Sequence, residues 1–254
     1  MLHVMARVDL HFHLLPGVDD GPADMQASME LARAAVADGT GIVVATPHVR
    51  TDLGLTDAVE IHARVLELRL ALASAGIPLE VRCSGELGHD VIGRLRQSEL
   101  ELLAHGPPEC RWLLVETPFH GVGSDFHAAT DELRERGFAV LVAHPERSAD
   151  ASLDGAAGLR RELEAGSLAQ VNALSLTGGH GEEACRAAWE LIAAGLVAVI
   201  ASDAHGPTRP PALRLARQTL AGVGLSPGSA DALTETTPAR LLAHGIPSRA
   251  AVPA

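Results

Sequence analysis

Seven short apolar runs, each followed by a stretch of helical spacing, constrain this chain more than any other feature. They are Val4 to Leu10, Ile42 to Ala45, Leu79 to Cys83, Trp112 to Val115, Ala139 to Ala143, Leu168 to Val171 and Val197 to Ala201. Strict alternation of such runs with helices predicts an α/β fold, a parallel sheet covered by helices. Seven units within 254 residues make a closed or nearly closed barrel the first choice. An open doubly wound sheet is the alternative. No linker or low-complexity segment divides the chain, so residues 1–254 are expected to form a single domain.

The intervening segments carry helix signals. Asp24 caps a helix in which Met25, Met29, Ala32 and Val36 recur, and Gly39 stops it. A second helix is predicted from about Thr56 to Gly76, with Val59, Ala63, Leu66, Leu70 and Ala73 along one face. Others are expected near Val91 to Leu103, Phe126 to Arg136, Leu159 to Ala165, Glu182 to Ala194, Pro211 to Val223 and Ala239 to His244. With tyrosine absent and other aromatics scarce, Ala, Leu and Val must supply most of the core.

In parallel α/β folds, function gathers at the carboxyl ends of the strands. Here those ends carry His11 and His13, then His48, Glu86, Glu116, His144, Asn172, and Asp203 with His205. In an extended backbone residues i and i+2 share a side, so His11 and His13 project together. A single histidine or glutamate after a strand is more often a cap or an ion-pair partner than a ligand. Six ends of seven bearing an imidazole or a carboxylate is another matter. Burying such groups unpaired would cost roughly several kcal/mol per ion, and shared ligation of a cation removes that cost. The donors are nitrogen and oxygen, which suits Mn, Fe or Zn. Their number exceeds the needs of one ion and suggests two or three. His62, His105, His127, His180 and His244 fall in helices or their flanks and are expected to be solvated. His89 and His120 lie in loops near strand ends, and no role is assigned to them.

A net charge of -12 disfavours nucleic acid and anionic membrane as partners. Any anionic substrate must be drawn by a local positive centre. No apolar stretch approaches the ~18 residues of a membrane span, and residues 1–10 are too short for a signal segment. Three widely spaced cysteines form no disulfide framework. A soluble cytoplasmic protein is expected. Cysteine-dependent phosphate chemistry needs Cys-x5-Arg, yet the residues six beyond Cys83, Cys110 and Cys185 are His89, Glu116 and Leu191.

The motifs D-x-H-x-H-L-L-P-G-V-D-D-G at 9–21, A-T-P-H at 45–48, A-H-P-E-R at 143–147 and A-S-D-A-H with R-P-P at 201–211 resemble the PHP superfamily. Within it, they resemble the bacterial tyrosine-protein phosphatases of capsule and exopolysaccharide loci, the CpsB/CapC family. The resemblance spans nearly the whole chain. It implies a distorted (β/α)7, TIM-barrel-like fold and three divalent metal ions, manganese foremost, with Fe or Zn as substitutes. It implies His11, His13, Asp20, His48, Glu86, Glu116, His144, Asp203 and His205 as metal ligands or near-ligands. Arg147 and Arg209 match the family's phosphate-contacting arginines, and Asp203 is counted with them as catalytic. The implied activity is hydrolysis of protein phosphotyrosine by metal-activated hydroxide, with a bacterial tyrosine kinase as the partner. The chain departs from the family in Val49-Arg50 after His48, in Ser148 after the A-H-P-E-R motif, and in a loop one residue shorter between His205 and Arg209. Two rival readings are a PHP phosphatase for a small molecule such as histidinol phosphate, and a non-catalytic PHP binding module.

Overall fold

The alternation seen in the sequence is realised strand by strand. The structure, a computed structural model, describes residues 7–52, 57–152 and 156–247. The expected strand start at Val4 and helix start at Thr56 lie outside them. In chain order the elements are β1 (Arg7–Phe12), α1 (Met25–Asp38), β2 (Thr40–Ala45), β3 (His48–Val49), α2 (Ala58–Ser74), β4 (Glu80–Cys83) and β5 (Glu86–Leu87). Then come α3 (Gln97–Leu103), β6 (Trp112–Glu116), α4 (Ser124–Glu135), β7 (Ala139–Ala143), α5 (Ala157–Glu164), β8 (Leu168–Asn172), α6 (Glu182–Ala193) and β9 (Val199–Ala201). The chain closes with α7 (Leu213–Gly222), α8 (Pro227–Asp231) and α9 (Thr237–His244). A π turn over Ala232–Thr236 joins the last two, so the tail holds more helix than the expected segment near Ala239 to His244. Among the described residues, no helix is long and apolar enough to cross a membrane.

All ladders are parallel, in two sheets ordered β1-β2-β4 and β3-β5-β6-β7-β8-β9. The second and third strands are each broken and resumed. β2 continues as β3 past Thr46-Pro47, and β4 as β5 past Ser84-Gly85, because Pro47 lacks the amide a continuous ladder needs. Hydrogen bonds Ser84 N to Ala45 O (2.9 Å) and Glu86 N to Pro47 O (3.0 Å) carry the pairing across the break. β9 returns to β1 through an isolated bridge, Phe12 with Ala204, rather than a full ladder. That joint is held by His13 N to Ala204 O and Asp203 N to His11 O, both 2.9 Å. The buried Asp9 carboxylate also accepts from Ser202 N (3.1 Å). The architecture is a seven-stranded α/β ring with a distorted seam.

The core has two parts. The larger packs the helices on the outer sheet face and includes Leu31, Ile61, Leu68, Leu100, Phe126 and Val140. The smaller lies on the opposite face: Val8, Leu10, Val44, Trp112, Leu114, Leu141 and Val199, stoppered by Leu241 and Ile246. Trp112 Nε1 donates to Leu241 O (3.0 Å), which fixes that stopper.

Two expectations need correction. The stripe Val59, Leu66 and Leu70 of α2 faces outward, 58%, 55% and 70% exposed, while Ala58, Ile61, Val65, Leu68 and Leu72 are buried. Both stripes have helical spacing, and α2 is apolar on more than one face. Nor are the helix-flank histidines uniformly solvated. His105 is half-buried, its ring against Trp112, and desolvation pushes its pKa down to about 4. His127 Nδ1 meets the buried Glu162 at 2.6 Å, and His180 Nδ1 meets Ser175 Oγ at 2.9 Å.

The α2 assignment can be tested by urea unfolding. Leu68→Ala should cost about 2–5 kcal/mol, whereas Leu70→Ala should stay within about 0.5 kcal/mol of wild type.

Candidate metal centre

Side chains from β1, β3, β5, β6 and β8 and from the turns just after β1, β7 and β9 meet in one place. The first to arrive are His11 and His13, through a register irregularity. β1 pairs Asp9 with Val43 and then Phe12 with Ala45, three steps against two. This bulge lets Leu10 stay in the inner apolar cluster while His11, the next residue, also turns to that side. His48 and Glu86 open the resumed strands β3 and β5 and sit opposite each other in register. Glu116 ends β6 and Asn172 ends β8. His144 and Asp203 follow β7 and β9 with φ of 35° and 51°. Among the described residues they are the only non-glycines with left-handed φ. Asp and His tolerate that region better than most residues, and such strain gathers where side-chain aim matters.

Glu86 is the hub. Fully buried, its Oε1 lies 2.8 Å from His144 Nε2. Its Oε2 lies 3.3, 3.4 and 3.0 Å from His11 Nε2, His13 Nε2 and His48 Nδ1. Asp203 Oδ1 is 3.3 and 3.4 Å from the same His11 and His13 nitrogens. Asp20 Oδ1 lies 3.1 Å from His205 Nε2 and 3.5 Å from His48 Nε2. Glu116 Oε2 is 3.9 Å from His48 Nδ1. All nine expected ligands therefore converge. They form overlapping groups, each with its donor atoms within 4.8 Å of one another: His13, Asp20, His48 and His205; His11, His13 and Asp203; His11, Glu86 and His144; His48, Glu86 and Glu116.

The hydrogen-bond pattern tests whether cations fit. Asp203 Oδ2 is an acceptor, so Asn172 Nδ2 donates to it (2.7 Å). Gln170 Nε2 then donates to Asn172 Oδ1 (2.8 Å), which leaves Gln170 Oε1 to accept from His11 Nδ1 (2.9 Å). Likewise Asp19 Oδ2 accepts from His13 Nδ1 (2.7 Å). With both Nδ1 atoms protonated, the two neutral rings turn Nε2 lone pairs toward each other, 3.1 Å apart. Two lone pairs and two carboxylate oxygens at such range demand a positive charge between them. In addition, Glu86 Oε2, His48 Nδ1 and His205 Nε2 are buried without a hydrogen-bond partner. The donor set fits divalent cations, and each Nδ1 restraint is the outer support that metal-binding histidines usually have.

The same pull toward positive charge shows in the titration, where protons compete for the nitrogens that would bind a cation. Burial opposes a charge on His11, yet Glu86 and Asp203 raise its pKa to about 9. Burial likewise opposes His13, and Asp19 and Glu86 raise it to about 10. Glu86 and Asp203, despite burial, are held below the usual carboxylate range by the surrounding imidazoles. Glu116 is pushed up by burial and by Glu86.

The guanidinium groups line the rim. Arg147 Nη1 donates to Asp203 Oδ2 (3.1 Å). Arg209 Nη2 donates to Asp20 Oδ2 (2.5 Å), and its Nη1 is 4.0 Å from Asp203 Oδ2. The short loop after His205 does not keep Arg209 away. A turn with Arg209 N to Gly206 O (3.2 Å) and His205 N to Arg209 O (2.9 Å) folds it back. The cleft, about 230 Å³, is lined by Asp20, His48, Glu116, His144, Arg147 and Arg209 among others.

Sequence reasoning missed four participants. Asp19 bonds His13, His48 N (3.0 Å) and Gly21 N (3.0 Å). Gln170 aims His11, and Asn172, noted only as a strand end, aims Asp203. Arg50 Nη1 donates to Glu116 Oε2 (2.6 Å) and also binds Asp52. A signal existed for Gln170, two residues before Asn172 and hence on its side of the strand. For Asp19 the signal was the need of a ligating imidazole for a second partner.

The chain resembles known proteins along most of its length. Residues 7–240 match the family model described as "Capsular polysaccharide synthesis, CpsB/CapC". The chain is 30% identical over 204 residues to tyrosine-protein phosphatase YwqE of Bacillus subtilis (strain 168), covering 78% of this chain and 77% of that protein. One solved structure comes from crystallography of YwqE from Bacillus subtilis and CpsB from Streptococcus pneumoniae, described as unique metal-dependent tyrosine phosphatases. It superposes with a TM-score of 0.80 at 28% identity, over 92% of this chain and 93% of that one. The Escherichia coli phosphotriesterase homology protein shares the fold alone, with a TM-score of 0.59 at 14% identity over 93% of this chain and 98% of that one.

Asp19→Asn and Gln170→Leu should each weaken Mn2+ binding about 10–100-fold while the fold survives. Calorimetric titration of metal-stripped protein, paired with circular dichroism, checks both statements.

Proposed function

The chain belongs to the CpsB/CapC family, and from that membership and the geometry we infer that it is a metal-dependent protein-tyrosine phosphatase. The observation that carries this reading is the pair of facing imidazole lone pairs, His11 and His13, wedged between Glu86 and Asp203 at the foot of a cleft rimmed by two arginines. Three ions are proposed, with manganese the first choice and Fe or Zn as substitutes. The overlapping clusters would hold them: His11 and His13 with Asp203, Glu86 with His11 and His144 or with His48 and Glu116, and Asp20 with His13, His48 and His205. Divalent ions in such a site acidify water and neutralise phosphoryl charge.

The chain's own groups do the rest. Arg147 and Arg209 present guanidinium N–H donors to the cleft, which suits the planar recognition of phosphoryl oxygens. Their bonds to Asp203 and Asp20 fix those donors before substrate arrives, so little reorganisation is needed as charge shifts. Asp203, held ionised, serves as an acceptor: Oδ2 aims Arg147 while Oδ1 faces His11 and His13. A phenolate leaving group, with a pKa of about 10 for tyrosine, departs without a strong proton donor. With divalent ions bound, the pocket would supply the local positive centre that an acidic chain needs to attract a phosphoester. A tyrosine kinase of a capsule or exopolysaccharide locus is the proposed partner, and the cytoplasm the proposed compartment.

Chelator treatment should abolish hydrolysis of a phosphotyrosyl peptide, and Mn2+ should restore it. Arg147→Ala should lower kcat about a hundredfold or more with metal content unchanged. Higher kcat/KM on histidinol phosphate than on the peptide would overturn the substrate assignment. Full activity in the chelated protein would overturn the mechanism.

A further inference from the structure

Three of the four phenylalanines, Phe12, Phe126 and Phe138, are buried, but Phe119 is 58% exposed. An exposed phenyl ring is ordinary when it stands alone. Phe119 does not stand alone. It lines the central cleft, and it also lines the cavities on either side. One flanking cavity, about 490 Å³, runs from Ser148 toward His180 and Ala184. The other, about 380 Å³, runs from Arg50 toward His89 and His120. Phe119 stands where all three meet.

The ring is exposed, but its backbone is braced. Thr117 Oγ1 donates to Ala143 O (2.5 Å), Ala149 N to Phe119 O (2.8 Å) and Gly121 N to Pro118 O (3.0 Å). The loop is thus tied to the end of β7 and to the segment after Arg147. Above all, the Arg147 guanidinium lies 5.3 Å from the Phe119 ring centroid. The same guanidinium bonds Asp203. Ring, guanidinium and carboxylate therefore form one connected row from the mouth of the cleft to its floor. No packing requirement of the core explains a ring held there.

We propose that Phe119 is the specificity residue for the aryl group of the substrate, the surface against which the phosphotyrosine ring packs. The role rests on the phosphatase reading above and deepens it. A phosphoryl group between Arg147 and Arg209 leaves its ester substituent pointing to the mouth, beside Phe119. An aromatic substituent gains an offset or edge-to-face partner and loses water-exposed area; a short alkyl chain gains far less. The flanking cavities then receive the residues on either side of the phosphotyrosine. Phe119 acts on binding, not on the reacting atoms.

Kinetics of the metal-loaded enzyme test this, using a phosphotyrosyl peptide as substrate and inorganic phosphate as a competitive inhibitor without a ring. Phe119→Ala should raise KM for the peptide roughly tenfold, with kcat within about threefold and the phosphate inhibition constant unchanged. Phe119→Trp should restore KM, and Phe119→Leu should fall between. An unchanged KM in Phe119→Ala would overturn the proposal. So would a parallel rise in KM and in the phosphate inhibition constant, which would mean that the ring acts only by placing Arg147. A wild-type enzyme that binds phosphate but does not hydrolyse the peptide would overturn the phosphatase reading, and this role with it.

Discussion

A fully buried carboxylate, Glu86, is approached by four imidazoles, and the rest of the architecture depends on that contact. Neither a lone carboxylate nor a lone imidazolium survives burial cheaply. Held together around cations, they stabilise one another. The irregular features of the ring are understandable as ways to bring Glu86 and its partners to one point. The break after β4 exists where Gly85 must sit close to Val49. A Cβ on Gly85 would come within 2.8 Å of Val49 Cγ2. The bulge in β1 serves His11 and His13, and the two left-handed residues serve His144 and Asp203.

The same logic separates aiming residues from the groups they aim. The row Asp203, Asn172, Gln170, His11 has only one consistent assignment of hydrogens, because a carboxylate at one end can only accept. That direction forces the His11 lone pair inward. Asp19 does the equivalent for His13, and its own carboxyl is held ionised, against burial, by the His13 contact and by the amides of Gly21 and His48. The adjacent aspartates of the opening motif therefore divide their work: Asp19 stays buried and orients, while Asp20 reaches His205, His48 and Arg209.

Much of this was legible in the sequence because the parallel α/β plan has few degrees of freedom. Once seven strands are counted, their carboxyl ends share a rim, and a rim crowded with imidazoles and acids implies a polar pocket. The resumed strands β3 and β5 were not legible, since two residues carry no periodicity. The face of α2 was misjudged because its outer stripe, Val59, Leu66 and Leu70, is as apolar as its inner one. Asp19, Gln170 and Arg50 act through a second side chain, and such pairings depend on which loops fold back onto which strands. His105 illustrates the same limit. Its partial burial follows from the bridge of its own backbone to Trp112, a contact between segments that local spacing cannot reveal.

The seam between β9 and β1 obeys the same constraint. A full ladder there would regularise the ring, yet it would also fix both strands in a pleat that alternates strictly. His11, His13, Asp203 and His205 lie within or just beyond this seam, and all four must face inward. Strict alternation cannot place Leu10 and His11 on the same side. The isolated bridge at Phe12 and Ala204, with Asp9 accepting from Ser202 N, holds the edges together while leaving the residues between free to turn. Burial raises the Asp9 pKa to about 6 even against those donated bonds. The first aspartate of the opening motif is thus best understood as a fastener. It belongs to none of the clusters of imidazoles and carboxylates; it keeps the ring joined at the point where regular pairing has been given up so that those side chains can converge.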